Sequence, residues 1–324
     1  MSYKKIKLSH ITLKALEVGH TYNYPIFYHI KDQFYKVLIH KKENYSKEIQ
    51  QQIKELQIKD LYVLSKDYEI YEKDTQEYVA KLIYTKEVPI KIKAEIIHDM
   101  TNDTMQELFL GNLNEEKIQH SKEMINKSID LILDDKSALR SMLEVTSYDY
   151  YTYSHCVNVS VYALAFGAYL GLKKDMLLVL GSAALLHDLG KKKVPNEIVN
   201  KNAKLTDEEF EIMKMHPSYA VEILRSLGES NQLLLDIIEQ HHEKLDGSGY
   251  PKHLKEKDIH HFSQIIAIVD IFDALTTKRS YKPAMHSFDA LELMSKKMTS
   301  EINVKLLEKF IIFMSLKSQK DKKN

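Results

Sequence analysis

The chain has 324 residues, enough for two domains, and 44% of them are hydrophobic, enough for a sizeable core. Lys plus Arg and Asp plus Glu each number 46, so no global charge bias points to a nucleic-acid polymer or an anionic membrane. The single cysteine, Cys156, excludes an internal disulfide and fits a reducing compartment. Residues 1–7 lack the apolar run of a signal peptide, and no stretch reaches ~18 uninterrupted apolar residues. A cytoplasmic protein is expected, with no membrane partner.

Residues 1–72 read as a small α+β module. Segments 22–30 and 34–39 are rich in aromatic and β-branched residues, as strands are. Ile49, Ile53 and Leu56 recur at helical spacing over 46–56, and 61–64 is a further short strand. The module has no paired carboxylates, cysteine or glycine-rich loop, so a regulatory or docking role is expected. Residues 73–115 read as a helical connector that breaks at Gly111-Asn112. Ile118, Ile125, Ile129 and Ile132 form a stripe that buries one helix face and opens a mostly α domain over 116–316. The polar tail 317–324 is expected to be disordered.

Chemistry concentrates after residue 150. His155 opens an apolar helix over 157–172. A second helix, 176–186, ends at His187-Asp188. Thr206 and Glu209 make a capping box for a helix expected to run to His216 and stop at Pro217. The helix 233–242 delivers His241 and His242, followed at once by the loop Asp246-Gly-Ser-Gly-Tyr-Pro251. Asp270 and Asp273 share one face of the apolar helix 264–275, where an unpaired carboxylate would be costly. Arg279 is a candidate salt-bridge partner for either one. Adjacent imidazoles on a helix point about 100° apart, which suits two metals, or one metal and a bound substrate. The nitrogen and carboxylate donors suit Fe, Mn, Zn or Ni rather than a soft thiolate site. Structural alternatives stay open: a polar helix end for the His-His pair, a dipole-complementing cation for Lys191, solvated charges for Arg279 and Lys282, and loop packing for Tyr250.

His155, His187-Asp188-Leu-Gly-Lys191, His216, His241-His242, Asp246-Gly-Ser-Gly-Tyr-Pro251 and Asp270, in this order, resemble the HD-GYP subgroup of HD-domain metal-dependent phosphohydrolases. The resemblance covers roughly 116–315. It implies an all-helical HD-type domain and hydrolysis of cyclic di-GMP to linear pGpG, GMP or both. It implies two divalent transition metals, Fe or Mn foremost and Zn or Ni as alternatives. Their ligands would be His155, His187, Asp188, His216, His241, His242 and Asp270, with Asp188 as the bridge. Lys191 would meet the scissile phosphate, Arg279 and Lys282 its oxygens, and Tyr250 with Gly249 the guanine-nucleotide pocket. Tyr151 stands where some members place a third-metal glutamate, so two metals are expected. Asn196 replaces an aspartate common in the family.

Two metals ~3.5–4 Å apart lower the pKa of a shared water, and the hydroxide is expected to attack phosphorus in line with the departing ribose oxygen. Lys191 and Arg279 would offset charge on the phosphoryl oxygens. Asp273 would orient Lys191 or relay a proton to the leaving group. Competing readings are a hydrolase of another cyclic dinucleotide or nucleotide, and a non-catalytic cyclic di-GMP receptor or scaffold. Candidate protein partners are a diguanylate cyclase, another signalling protein or a second copy of the chain.

Overall fold

A computed structural model describes residues 7–31, 34–146, 152–278 and 283–318. The chain divides into two compact units, Met1–Gly111 and Asn112–Asn324. Arg279, Lys282, Tyr151 and the tail from 319 lie outside the described residues.

The first unit is α+β. Its strands are β1 (Leu8–Ile11), β2 (Thr21–Tyr22), β3 (Ile26–Lys31), β4 (Phe34–Ile39), β5 (Glu43–Asn44) and, after helix α1 (Lys47–Glu55), β6 (Leu61–Leu64). Four strands form an antiparallel sheet in the order β1-β6-β3-β4, and β2 pairs with β5. Alternating side chains give the sheet one apolar face, on which Ile11, Ile26, Ile39, Leu61 and Val63 are buried. Ser46 caps α1 by accepting the Ile49 amide, and Ile53 is its buried residue.

Helices α2 (Tyr68–Tyr84) and α3 (Ile90–Leu110) follow. The sequence reading places most of this stretch in a connector over 73–115. In the structure both helices belong to the first unit, and α3 packs on β1. The reason lies in the packing: α3 buries Ile96, Ile97, Met100 and Leu108, and its Asp103 Oδ1 lies 2.5 Å from His10 Nδ1 of β1.

The second unit is helical. Asn114 caps α4 (Glu115–Asp134), whose Ile118, Ile125, Ile129 and Ile132 are all buried, as their spacing predicts. Then come α5 (Lys136–Glu144), α6 (Thr152–Tyr169) and α7 (Lys174–Leu186). From Ser154 to Gly167 every residue of α6 is buried, Cys156 among them. A helix apolar all round has no solvent face and must lie inside its domain. α6 packs on α7, and the 3-10 turn Leu189–Lys193 follows α7 directly.

The remaining helices are α8 (Asn196–Val199), α9 (Asp207–Met213), α10 (His216–Ser226), α11 (Gln232–Glu239), α12 (His261–Thr276), α13 (Ser287–Lys297) and α14 (Val304–Ser318). Thr206 and Glu209 form the expected capping box on α9. Two boundaries differ from expectation. α9 ends at Met213, and His216 begins α10 with Pro217 in its first turn. Proline lacks an N–H, which harms a helix interior but costs nothing in a first turn. α11 ends at Glu239, so His241 and His242 lie just past it.

Candidate metal centre

The seven side chains singled out as ligands converge. His155 comes from the first turn of α6, His187 and Asp188 from the end of α7, and His216 from the start of α10. His241 and His242 follow α11, and Asp270 lies in α12. Donor atoms of Asp188, His216, His241 and His242 fall within 4.8 Å of one another, and so do those of His155, His187 and Asp188. Asp188 is common to both sets. Asp270 adjoins them, with Oδ1 3.0 Å from His155 Nε2 and Oδ2 3.9 Å from His242 Nδ1.

The imidazoles are set as metal ligands need to be. His187 Nδ1 lies 2.7 Å from Ala184 O, His216 Nδ1 2.8 Å from Met213 O, and His241 Nδ1 2.6 Å from Ile238 O. A carbonyl only accepts, so each Nδ1 carries the proton and each neutral ring keeps a lone pair on Nε2. His155 Nδ1 is held in the same way by Asp273 Oδ2 at 2.7 Å.

The Nε2 atoms face a common centre. Those of His216 and His241 stand 3.3 Å apart, where two lone pairs repel and a cation between them would attract both. Among the described residues His187 Nε2 and Asp188 Oδ1 are buried with no hydrogen bond, although His216 Nε2 approaches Asp188 Oδ1 to 3.2 Å. Buried polar atoms are otherwise satisfied in nearly every case. The donor set therefore fits divalent metal.

Electrostatics agree. Burial alone would raise the Asp188 carboxyl, but its neighbours, the Lys191 ammonium foremost, hold it well below the usual carboxylate range. Burial would raise Asp270 too, but the surrounding His155, His242 and His187 hold it below the usual carboxylate range. Burial, with the adjoining His216, pushes His242 down to about 3. Burial also drives His241 and His187 down, keeping them neutral.

The other sequence candidates divide. Lys191 Nζ sits 2.5 Å from Asp188 Oδ2 and lines the cavity beside the cluster. Tyr250 lies against His242, ring centroids 4.8 Å apart. Gly249 has a packing reason to be glycine: a Cβ there would stand 2.3 Å from Lys244 N. Both Asp273 oxygens are engaged by protein groups. Oδ2 holds His155, and Oδ1 accepts from Asn158 Nδ2 at 3.1 Å and Thr277 Oγ1 at 3.2 Å.

Sequence reasoning missed three features. Asn158 is fully buried one turn after His155, and its signal was an amide inside an apolar run. Buried Glu243 accepts the Lys252 amide at 2.6 Å and the Leu254 amide at 2.9 Å, fixing the loop beyond Tyr250. Gly190 lets α10 approach: a Cβ would fall 1.9 Å from His216 O.

The HD domain family model matches residues 123–306, more than half of the chain. The chain belongs to the HD domain family. Its HD domain is 33% identical over 177 residues to a cyclic di-GMP phosphodiesterase of Pseudomonas aeruginosa, covering 55% of this chain and 43% of that protein. It is 40% identical over 164 residues to a 3'3'-cGAMP-specific phosphodiesterase of Vibrio cholerae, covering 49% and 31%. A cyclic di-GMP phosphodiesterase of Thermotoga maritima is 34% identical over 184 residues, covering 56% and 50%. The chain thus spans half or less of the length of these curated relatives. A solved structure of an HDG"Y"P protein from Bdellovibrio bacteriovorus shares the fold, with a TM-score of 0.71 at 20% identity over 95% of this chain and all of that one. Among the described residues no helix is long and apolar enough to cross a membrane.

Proposed function

We propose that this HD domain is a metal-dependent phosphodiesterase that hydrolyses cyclic di-GMP. The observation that carries the reading is the orientation of His155, His187, His216 and His241. Each donates Nδ1–H outward and turns Nε2 toward Asp188. Two sets of donors sharing Asp188 support a pair of metals, with Fe or Mn first and Zn or Ni next. Bound metals would supply Lewis-acid activation of water and neutralise phosphate charge.

The rest of the chemistry belongs to the chain. Lys191 brings an ammonium to the cluster, where it meets a phosphoryl oxygen as a point charge. Asp273, anchored by Asn158 and Thr277, keeps His155 in the ligating tautomer. Tyr250, packed against His242, is the candidate contact for the guanine nucleotide. Arg279 and Lys282 remain candidates for further phosphate contacts. Water adds to phosphorus, the bond to the ribose 3' oxygen breaks, and that oxygen leaves as a hydroxyl. The product is linear pGpG, with GMP after a second cut.

Relatives named for 3'3'-cGAMP favour a second reading, hydrolysis of a mixed cyclic dinucleotide on the same residues. The deciding experiment loads the protein with Fe, Mn, Zn or Ni and separates the products from cyclic di-GMP and 3'3'-cGAMP. Turnover of cyclic di-GMP with at least one metal is expected. Tight binding with no turnover in any metal state would replace the enzyme by a receptor. The first unit is proposed as a regulatory domain, and a diguanylate cyclase or a second copy of the chain as its protein partner.

A further inference from the structure

A cavity of about 400 Å³ opens beside Asp188, Lys191 and His242. The metal ligands form only part of its wall. Leu275, Met298 and Ile302 also line it, from the end of α12 and the turn between α13 and α14. This side is apolar and able to hold a flat ring, with methionine adapting to its shape.

Lys244 and Glu301 line the same cavity. Lys244 Nζ lies 2.7 Å from Glu301 Oε2, with the side chains 41% and 30% exposed. An ion pair this exposed contributes little stability. Its placement is nonetheless firmly held. Glu301 O accepts the Leu245 amide at 2.9 Å, and Glu301 N donates to Met298 O at 3.0 Å. Glu301 is thereby tied to the loop that carries the histidine pair. Among the described residues Oε1 has no hydrogen-bond donor.

We propose that this corner is a guanine-reading subsite, with Glu301 as its specificity-determining residue. The proposal rests on the cyclic dinucleotide reading above. A carboxylate only accepts, so it suits the adjacent N1–H and 2-amino donors of guanine. Lys244 only donates, and guanine offers O6 and N7 on its other edge. Adenine has an acceptor at N1 and no 2-amino group, so it would leave Glu301 facing a lone pair. The cavity has room for one nucleotide unit, and the scissile phosphate would then reach Lys191. The subsite would therefore discriminate at one base of the dinucleotide.

The test compares wild-type holoenzyme with Glu301→Ala and Glu301→Gln. Substrates are cyclic di-GMP, 3'3'-cGAMP, cyclic di-AMP and the base-free diester bis-p-nitrophenyl phosphate, with metal content measured for each protein. Loss of a charged hydrogen-bond acceptor should lower kcat/KM on cyclic di-GMP by about 10–100-fold for Glu301→Ala and by less for Glu301→Gln. Cyclic di-AMP and the base-free diester should change by less than ~3-fold at unchanged metal content, since neither uses the acceptor. Equal losses on all substrates, or an unchanged base preference, would overturn the subsite and leave the phosphodiesterase reading intact. A wild-type protein that cleaves the base-free diester but no cyclic dinucleotide would overturn both.

Discussion

Asp188 is the residue on which most of the site depends. It is fully buried, belongs to both donor sets, and faces His187, His216 and Lys191. Replacing it by Ala removes the shared carboxylate and its ion pair with Lys191. Asp188→Ala should lose at least one metal equivalent by elemental analysis and reduce turnover by about 10³-fold or more. Full metal content with normal turnover would remove Asp188 from the mechanism. Asp273 acts at one remove. Asp273→Asn can present an amide N–H where His155 Nδ1 needs an acceptor, which turns the ring tautomer the wrong way. Metal affinity should fall about 10–100-fold, as for other outer partners of metal-bound histidine. Competition with a chelator measures this directly, and Asp273→Glu should recover part of the loss. A variant inactive at full metal occupancy would instead return Asp273 to proton transfer.

At the scale of elements, the site depends on how closely helices approach. The turn after α7 meets the first turn of α10 with Gly190 between them, and a Cβ would fall 1.9 Å from His216 O. Both neighbours are backbone, so no side chain can move aside. Gly190→Ala should destabilise the second unit by about 3 kcal/mol and shift His216, measured as a lower unfolding midpoint together with weaker metal binding. A stable, fully metal-loaded Gly190→Ala protein would show that the approach is looser than described.

In the first unit, β1 and α3 are joined by His10 and Asp103. Burial would lower His10, but hydrogen bonds to Asp103 and Asp60 outweigh it and raise it to about 10. Complete burial raises Asp103 to about 6, which His10 offsets only in part. Both folded values lie above the unfolded ones, so both contributions weaken as pH rises. The His10 contribution is complete below its unfolded value near 6.5 and is lost as pH climbs through about 10. First-unit stability should fall by about 2–4 kcal/mol across that window. Urea titrations at several pH values should show this slope in the wild type and a flatter one in His10→Gln. Equal slopes would mean that the pair carries no net stability.

At the scale of the whole molecule, the ligands and the cavity that define the site all lie in the second unit. A fragment starting at Asn112, just ahead of the Asn114 cap of α4, should fold, bind metal and keep measurable turnover of cyclic di-GMP. Its rate should differ from the full chain if the first unit regulates it, since regulation is a coupling free energy between sites. A soluble, folded, metal-loaded but inert fragment would mean that the first unit completes the active site. A fragment beginning near Glu87 serves as the longer control.

The seven candidate ligands stood out in the sequence because histidine and aspartate are costly in and beside apolar helices, and the family resemblance grouped them as one set. Strand and helix types were legible for a similar local reason. The stripe from Ile118 to Ile132 and the capping box at Thr206 each depend on neighbours a few residues away. Boundaries were harder: Pro217 reads equally well as a stop or a start until the helix on either side is known. What only the tertiary structure decided involves groups far apart in the chain. Asp273 meets His155 across 118 residues and Asn158 across 115, contacts that no local pattern announces. Gly190, Gly249 and Glu301 likewise take their roles from backbone or side chains brought up by another element. Periodicity shows which face of a helix is buried. The helix that covers that face, and its register, follow from packing the whole unit at once, because close-packed interiors fix side-chain positions to fractions of an ångström.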